Sequence, residues 1–135
     1  MKYLLDTNIV AYIINKKPVE VLSKFQSISW NEIAVSSIVV AELWFGVAKS
    51  QQKHKNRLAL QSFLEPLLIV DFDSVAAEYY ANIRVNLEGR GTIIGANDLL
   101  IAAHALSLDL TLVSNNVKEF NRVEGLKIEN WISNE

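Results

Sequence analysis

At 135 residues, half of them apolar, the chain is long enough to bury one sizeable core and too short for a second, so one domain over 1–135 is expected. The absence of cysteine removes disulfide frameworks, thiolate metal sites and cysteine nucleophiles, and a net charge of −2, from 13 Lys and Arg against 15 Asp and Glu, does not advertise a polyanionic partner. An acid at position 6 breaks any signal-like apolar run, and the longest uncharged apolar stretches, such as 99–108, fall short of the roughly 20 residues a membrane span needs, so a cytoplasmic protein with no membrane association is expected.

Residues 2–5 read as a short buried strand running into Asp6, Thr7 and Asn8, a polar cluster suited to capping a helix over 9–14. Pro18 opens a second helix to about residue 26. Residues 33–35 are strand-like, and Ser36 or Ser37 caps a helix through Glu42 to about residue 48. A polar stretch with Lys49, Lys53, His54, Lys55 and Arg57 leads into a helix over 55–64 that Pro66 ends, and this basic cluster reads as a solvated helix face.

The continuous apolar run 67–70 predicts a buried strand, followed by Asp73 or Ser74 as a cap. Ala76, Tyr79, Tyr80, Ile83 and Leu87 then recur at helical spacing until Gly89 and Gly91 end the element. A helix over 98–107, a strand over 111–113, a short polar helix over 117–122 and a last strand over 126–131 complete the chain. Strands alternating with helices over short connections predict a three-layer α/β fold, a central parallel sheet of four to five strands flanked by helices. Its ligand crevice lies beyond the carboxyl ends of the strands.

The acids fall at that edge. Asp6 directly follows the first strand among apolar neighbours, where its alternative role is to cap or turn the chain. Glu42 stands in IVVAELWFGV, apolar on every side, where a lone carboxylate costs several kcal/mol unless it is paired or bound to a cation. Asp98 is the one charge in IGANDLLIAAHAL, and its first-turn position near the positive helix end favours the ionised form, whether for a metal or for its own helix. SNNVKEF offers Ser114, Asn115, Asn116 and Glu119 at the same end of the sheet, although Asn at a strand end is also a turn former.

Three or four carboxylates converging without histidine or cysteine would suit Mg²⁺ or Mn²⁺ rather than zinc. Phosphodiester hydrolysis is the chemistry such sites serve. His54 lies in a charged, exposed segment and His104 six residues after Asp98 on another helix face, so neither competes as a catalyst. A dehalogenase-type phosphatase needs an acid where Asn8 stands, only isolated pieces of a receiver-domain pattern occur, and neither GxxxxGK[ST] nor GxGxxG is found.

LLDTN, VVAELWFG, IGANDLLIAAHAL and LVSNNVKEF, with a closing LKIENW, resemble in order and approximate spacing the PIN-domain ribonucleases of the VapC toxin family, over nearly the whole chain. The resemblance implies a PIN fold with Asp6, Glu42 and Asp98 as metal-binding acids. It also implies endoribonuclease activity, often against tRNA, a homodimer, and neutralisation by a VapB antitoxin; the nearest subgroup cleaves initiator tRNA in the anticodon region. Many PIN domains carry an acid where this chain has Asn116, and the NN and EF of the motif suggest that Glu119 supplies it, so the fourth position is Asn116 or Glu119.

The expected reaction is metal-assisted attack of water on a phosphodiester, leaving a 5′-phosphate and a 3′-hydroxyl, with Thr7, Asn8, Ser114 and Asn116 orienting ligands and waters. A PIN ribonuclease of RNA processing, and a non-enzymatic RNA- or protein-binding module whose acids only stabilise helix ends, are the competing readings. Tyr12, Trp44 and Phe45 are either core residues or an aromatic interface for partners.

Overall fold

The computed structural model describes residues 1–132. Five short strands, β1 (Tyr3–Leu5), β2 (Ile33–Ser36), β3 (Leu68–Val70), β4 (Thr111–Val113) and β5 (Ile128–Glu129), form one parallel sheet in the order β3-β2-β1-β4-β5. Seven helices flank it: α1 (Thr7–Asn15), α2 (Val19–Gln26), α3 (Ser37–Lys49), α4 (Lys53–Leu64), α5 (Ser74–Gly89), α6 (Ala96–Leu108) and α7 (Val117–Phe120). This is the expected α/β architecture, and among the described residues no helix is long and apolar enough to cross a membrane.

Strand-to-helix transitions occur where the polar residues stand. Asp6 accepts a hydrogen bond from the Thr7 N–H at 2.7 Å, Ser36 from the Ile38 N–H at 3.1 Å, and Asp73 from the Ala76 N–H at 3.0 Å, each satisfying a donor that the first helical turn leaves without a partner. β1 is buried along its length because it is the central strand. Leu4, Leu5, Val35, Leu112 and Val113 are fully enclosed, and each side chain of this size contributes about 1.5–3 kcal/mol by leaving water. Trp131, beyond the edge strand β5, packs edge-on against Tyr3 of β1, ring centroids 5.6 Å apart.

Three expectations are corrected. The run 67–70 is not a buried strand: β3 pairs on one side only, and Leu68 and Ile69 are exposed. Composition alone does not distinguish an apolar edge from an apolar centre. The last strand shrinks from 126–131 to two residues, because β5 is the other edge and has only β4 to pair with. In α5, Ala76, Ile83 and Leu87 are buried but Tyr79 turns outward, so the inward stripe is narrower than its spacing suggests.

Candidate active site at the carboxyl end of the sheet

The chain runs from β1 to β2 and β3 on one side, then crosses back to β4 on the other side of β1. Ligand crevices of parallel α/β sheets open at such a reversal of strand order. Asp6 immediately follows β1 and Ser114 immediately follows β4, both buried, with the Asp6 N–H donating to the Val113 carbonyl at 2.9 Å. Asp98 is the third residue of α6, Glu119 the third of α7, and Asn116 directly precedes α7.

Hydrogen bonds join these positions. Ser114 Oγ donates to Asp6 Oδ2 at 2.8 Å and accepts from the Asn116 N–H at 2.9 Å. Asn116 Nδ2 donates to Asp98 Oδ2 at 3.2 Å and to Glu119 Oε2 at 2.8 Å, and Thr7 Oγ1 donates to Glu42 Oε1 at 2.9 Å. Two groups emerge, Thr7 with Glu42 and Asn116 with Asp98 and Glu119, with Asp6 and Ser114 holding the buried floor. Asn8 makes no side-chain hydrogen bond to the acids and is exposed on the first turn of α1.

The acids sense one another. Burial raises the pKa of Asp6 above the ordinary carboxylate value, against hydrogen bonds from Ser114 and the Thr7 N–H, and the Glu42 charge adds to the rise. Asp98 is pushed up to about 7, first by burial, then by the charges and contacts of Asp6, Glu119 and Glu42. Glu119 is lowered by the Asn116 amide, by its contact with Asp98 and by the Arg122 charge. The Asn116 amide and the Arg122 guanidinium thus favour an ionised Glu119, while burial and neighbouring charge disfavour an ionised Asp98.

None of the ion pairs among the described residues involves Asp6, Glu42, Asp98 or Glu119. A coupled set of carboxylates with no lysine or arginine bonded to it is an all-oxygen donor set suited to a hard divalent cation. Among the described residues no three acid, histidine or cysteine side chains close into a ready-made cage, and the Thr7 hydroxyl and the Asn116 amide each bond one carboxylate oxygen. Mg²⁺ fits such an arrangement, since it keeps several waters and takes only one or two carboxylates directly.

Glu42 differs from expectation in its surroundings. α3 is not buried all round: Val39 is its one fully enclosed residue, Glu42 is half-buried and Phe45 is 65% exposed. Glu42 is thus reconciled with its apolar neighbours by partial hydration and the Thr7 hydroxyl, rather than by a cation alone. Trp44 is half-buried beneath the Arg57 guanidinium, 5.1 Å from its centroid, and Tyr12 is half-buried with its hydroxyl accepting from Asn115 Nδ2 at 3.3 Å.

His54 is exposed, and His104 is a core residue whose Nδ1 pairs with Ser36 Oγ at 2.7 Å. The basic residues 53, 54, 55 and 57 form an exposed face of α4, as expected. Reading by sequence missed Arg122, whose guanidinium donates to the Ile93 carbonyl at 3.1 Å and ties the segment before α6 to the end of α7. Arg90 reinforces this by donating to the Arg122 carbonyl at 2.6 Å. No spacing signal reveals a side chain bonded to a carbonyl 29 residues away.

Residues 3–126 match the PIN domain family. The chain is 49% identical over 132 residues to Ribonuclease VapC2 of Rickettsia felis, covering 97% of this chain and 98% of that protein. It is 37% identical over 131 residues to the tRNA(fMet)-specific endonuclease VapC of Shigella flexneri, covering 97% and 98%. A crystal structure of VapBC2 from Rickettsia felis bound to a DNA fragment from their promoter contains a chain that superposes with a TM-score of 0.92 at 48% identity, over 98% of this chain and all of that one.

Proposed function

The chain belongs to the PIN-domain family, among the VapC ribonucleases, and from that membership we propose that it is a metal-dependent endoribonuclease acting as the toxin of a toxin–antitoxin pair. Its substrate is tRNA and a VapB antitoxin holds it silent, readings supported by the name of the Shigella flexneri relative and by the VapBC2 structure; initiator tRNA cut in the anticodon region follows from the family resemblance. It works in the cytoplasm as a homodimer, in keeping with the family resemblance. The observation that carries the catalytic reading is the set of four acids, Asp6, Glu42, Asp98 and Glu119, gathered at the sheet's carboxyl end with no ion pair from lysine or arginine among the described residues.

Asp6, Glu42 and Asp98 would hold Mg²⁺ or Mn²⁺, with Glu119 completing the set. A bound ion of this kind supplies an activated water and neutralises charge on the phosphoryl oxygens. The chain's own groups prepare the place. Ser114 and the Thr7 N–H fix both oxygens of Asp6, the Thr7 hydroxyl fixes one oxygen of Glu42, and the Asn116 amide sets the separation of Asp98 and Glu119. Positioned carboxylates of this kind orient an attacking water without reorganising during the reaction.

The test is cleavage of purified tRNA by the antitoxin-free chain, with RNA 5′ ends mapped after brief induction in cells. Cuts confined to one anticodon loop, dependent on Mg²⁺ or Mn²⁺ and abolished by chelation, are expected. RNA left intact at all divalent-ion concentrations by a folded protein would overturn the reading.

A further inference from the structure

Beside the acids runs a cleft of about 560 Å³ whose walls include Thr7 and Glu42, Phe45 and Lys49 of α3, and Asn97 and Leu100 of α6. Glu42, Phe45 and Lys49 follow one another at helical spacing, so one stripe of α3 passes from a candidate ligand to an aromatic ring and then to an ammonium group. The Phe45 ring is 65% exposed and Lys49 Nζ stands 5.0 Å from its centroid. A large apolar ring left in water beside a catalytic cleft, with a cation over its face, has the chemistry of a nucleic-acid contact.

We propose that Phe45 and Lys49 form a subsite for the nucleotide next to the scissile phosphodiester, the ring stacking on its base and the ammonium meeting a backbone phosphate of single-stranded RNA. This rests on the ribonuclease reading above. Charge argues for it: Lys49 is the basic residue among those lining this cleft, so a polyanion entering it meets an ammonium group beside the acids. The cleft's volume accommodates a nucleotide. Stacking is tolerant of base identity but demands an unpaired base, so the subsite selects loops and unpaired ends over duplex.

Binding without cleavage gives the test. In chelator, the full chain is titrated into fluorescein-labelled single-stranded RNA, and into copies carrying 2-aminopurine at successive positions. One position next to the mapped cut is expected to quench on binding. Phe45→Ala should abolish that quench and weaken binding about tenfold or more, while Phe45→Trp restores both. Lys49→Gln should make the slope of log Kd against log salt shallower by about 0.7, the contribution of one phosphate contact on a single strand.

A Phe45→Ala protein that binds and quenches like the parent overturns the subsite while leaving the ribonuclease reading intact. So does a variant with parental RNA affinity but weakened antitoxin binding, which would give the face to a protein partner. A parent chain that neither binds nor cuts RNA removes the ribonuclease reading itself.

Discussion

The Ser114 hydroxyl donates to the Asp6 carboxylate at 2.8 Å, joining the ends of two neighbouring parallel strands across 108 residues of sequence. The same oxygen accepts from the Asn116 N–H, so one buried serine fixes an acid of the floor and the start of the segment that carries Glu119. Ser114→Ala should therefore cost about 1–3 kcal/mol in urea unfolding, since both a buried carboxylate and a backbone donor lose their partner. RNA cleavage should fall roughly 10- to 100-fold, the scale on which residues supporting metal ligands act.

Asp98→Asn should abolish cleavage yet stabilise the metal-free protein at neutral and higher pH. The Asp98 pKa rises from 3.8 to about 7 on folding, so across that interval the folded state holds more protons than the unfolded one. The parent thus loses stability as pH rises from about 4 to about 7, and the variant is spared this loss. Melting in chelator at pH 4 and pH 8 should show the variant gaining on the parent at the higher pH. A constant difference would contradict the crowding of the acids.

Glu119→Gln should raise the Mg²⁺ concentration for half-maximal cleavage about tenfold or more, because a charge leaves the site. Asn116→Ala should raise it less, because the amide spaces two acids without bringing a charge of its own. Parallel metal titrations decide. An unchanged Mg²⁺ dependence in Glu119→Gln would return the fourth position to Asn116 or to water.

His104 sets an opposing pH dependence. Burial holds its imidazole below the ordinary histidine value, against the nearby charge of Asp73. Below about pH 6.5 the unfolded chain takes up a proton that the folded one resists, so stability falls as the solution is acidified. His104→Gln should flatten that fall between pH 7 and 5 by chemical denaturation, whatever it does to absolute stability through the lost Ser36 contact.

Much of this arrangement is legible in the chain because caps and strand ends are local. Asp6, Ser36 and Asp73 announce their helices, and the alternation of apolar runs with periodic segments suffices for a parallel sheet. Asp98 likewise stands out as the one charge in an apolar helix, in its first turn, and Glu119 by its place in the short helix after a strand. Burial is less legible: VVAELWFG reads as core, but α3 has one fully enclosed residue, and LLIV reads as a buried strand where β3 is an exposed edge. Both errors have one origin, since apolar composition reports what a segment can bury and the position of its neighbours decides what it does bury. The Asn116 bridge and the Arg122 tether depend on side chains meeting across the fold, which no periodicity encodes.

The central place of β1 bears on how the protein is made. Its one flank can pair with β2 as soon as residues 33–36 are available, but the other waits for β4 at 111–113, and the fourth acid follows only with α7. Such long-range pairing is slow to form and comes late in synthesis. A growing chain thus carries Asp6 and Glu42 long before it carries Ser114 and Glu119, and the acid cluster cannot assemble on the ribosome until α7 has emerged.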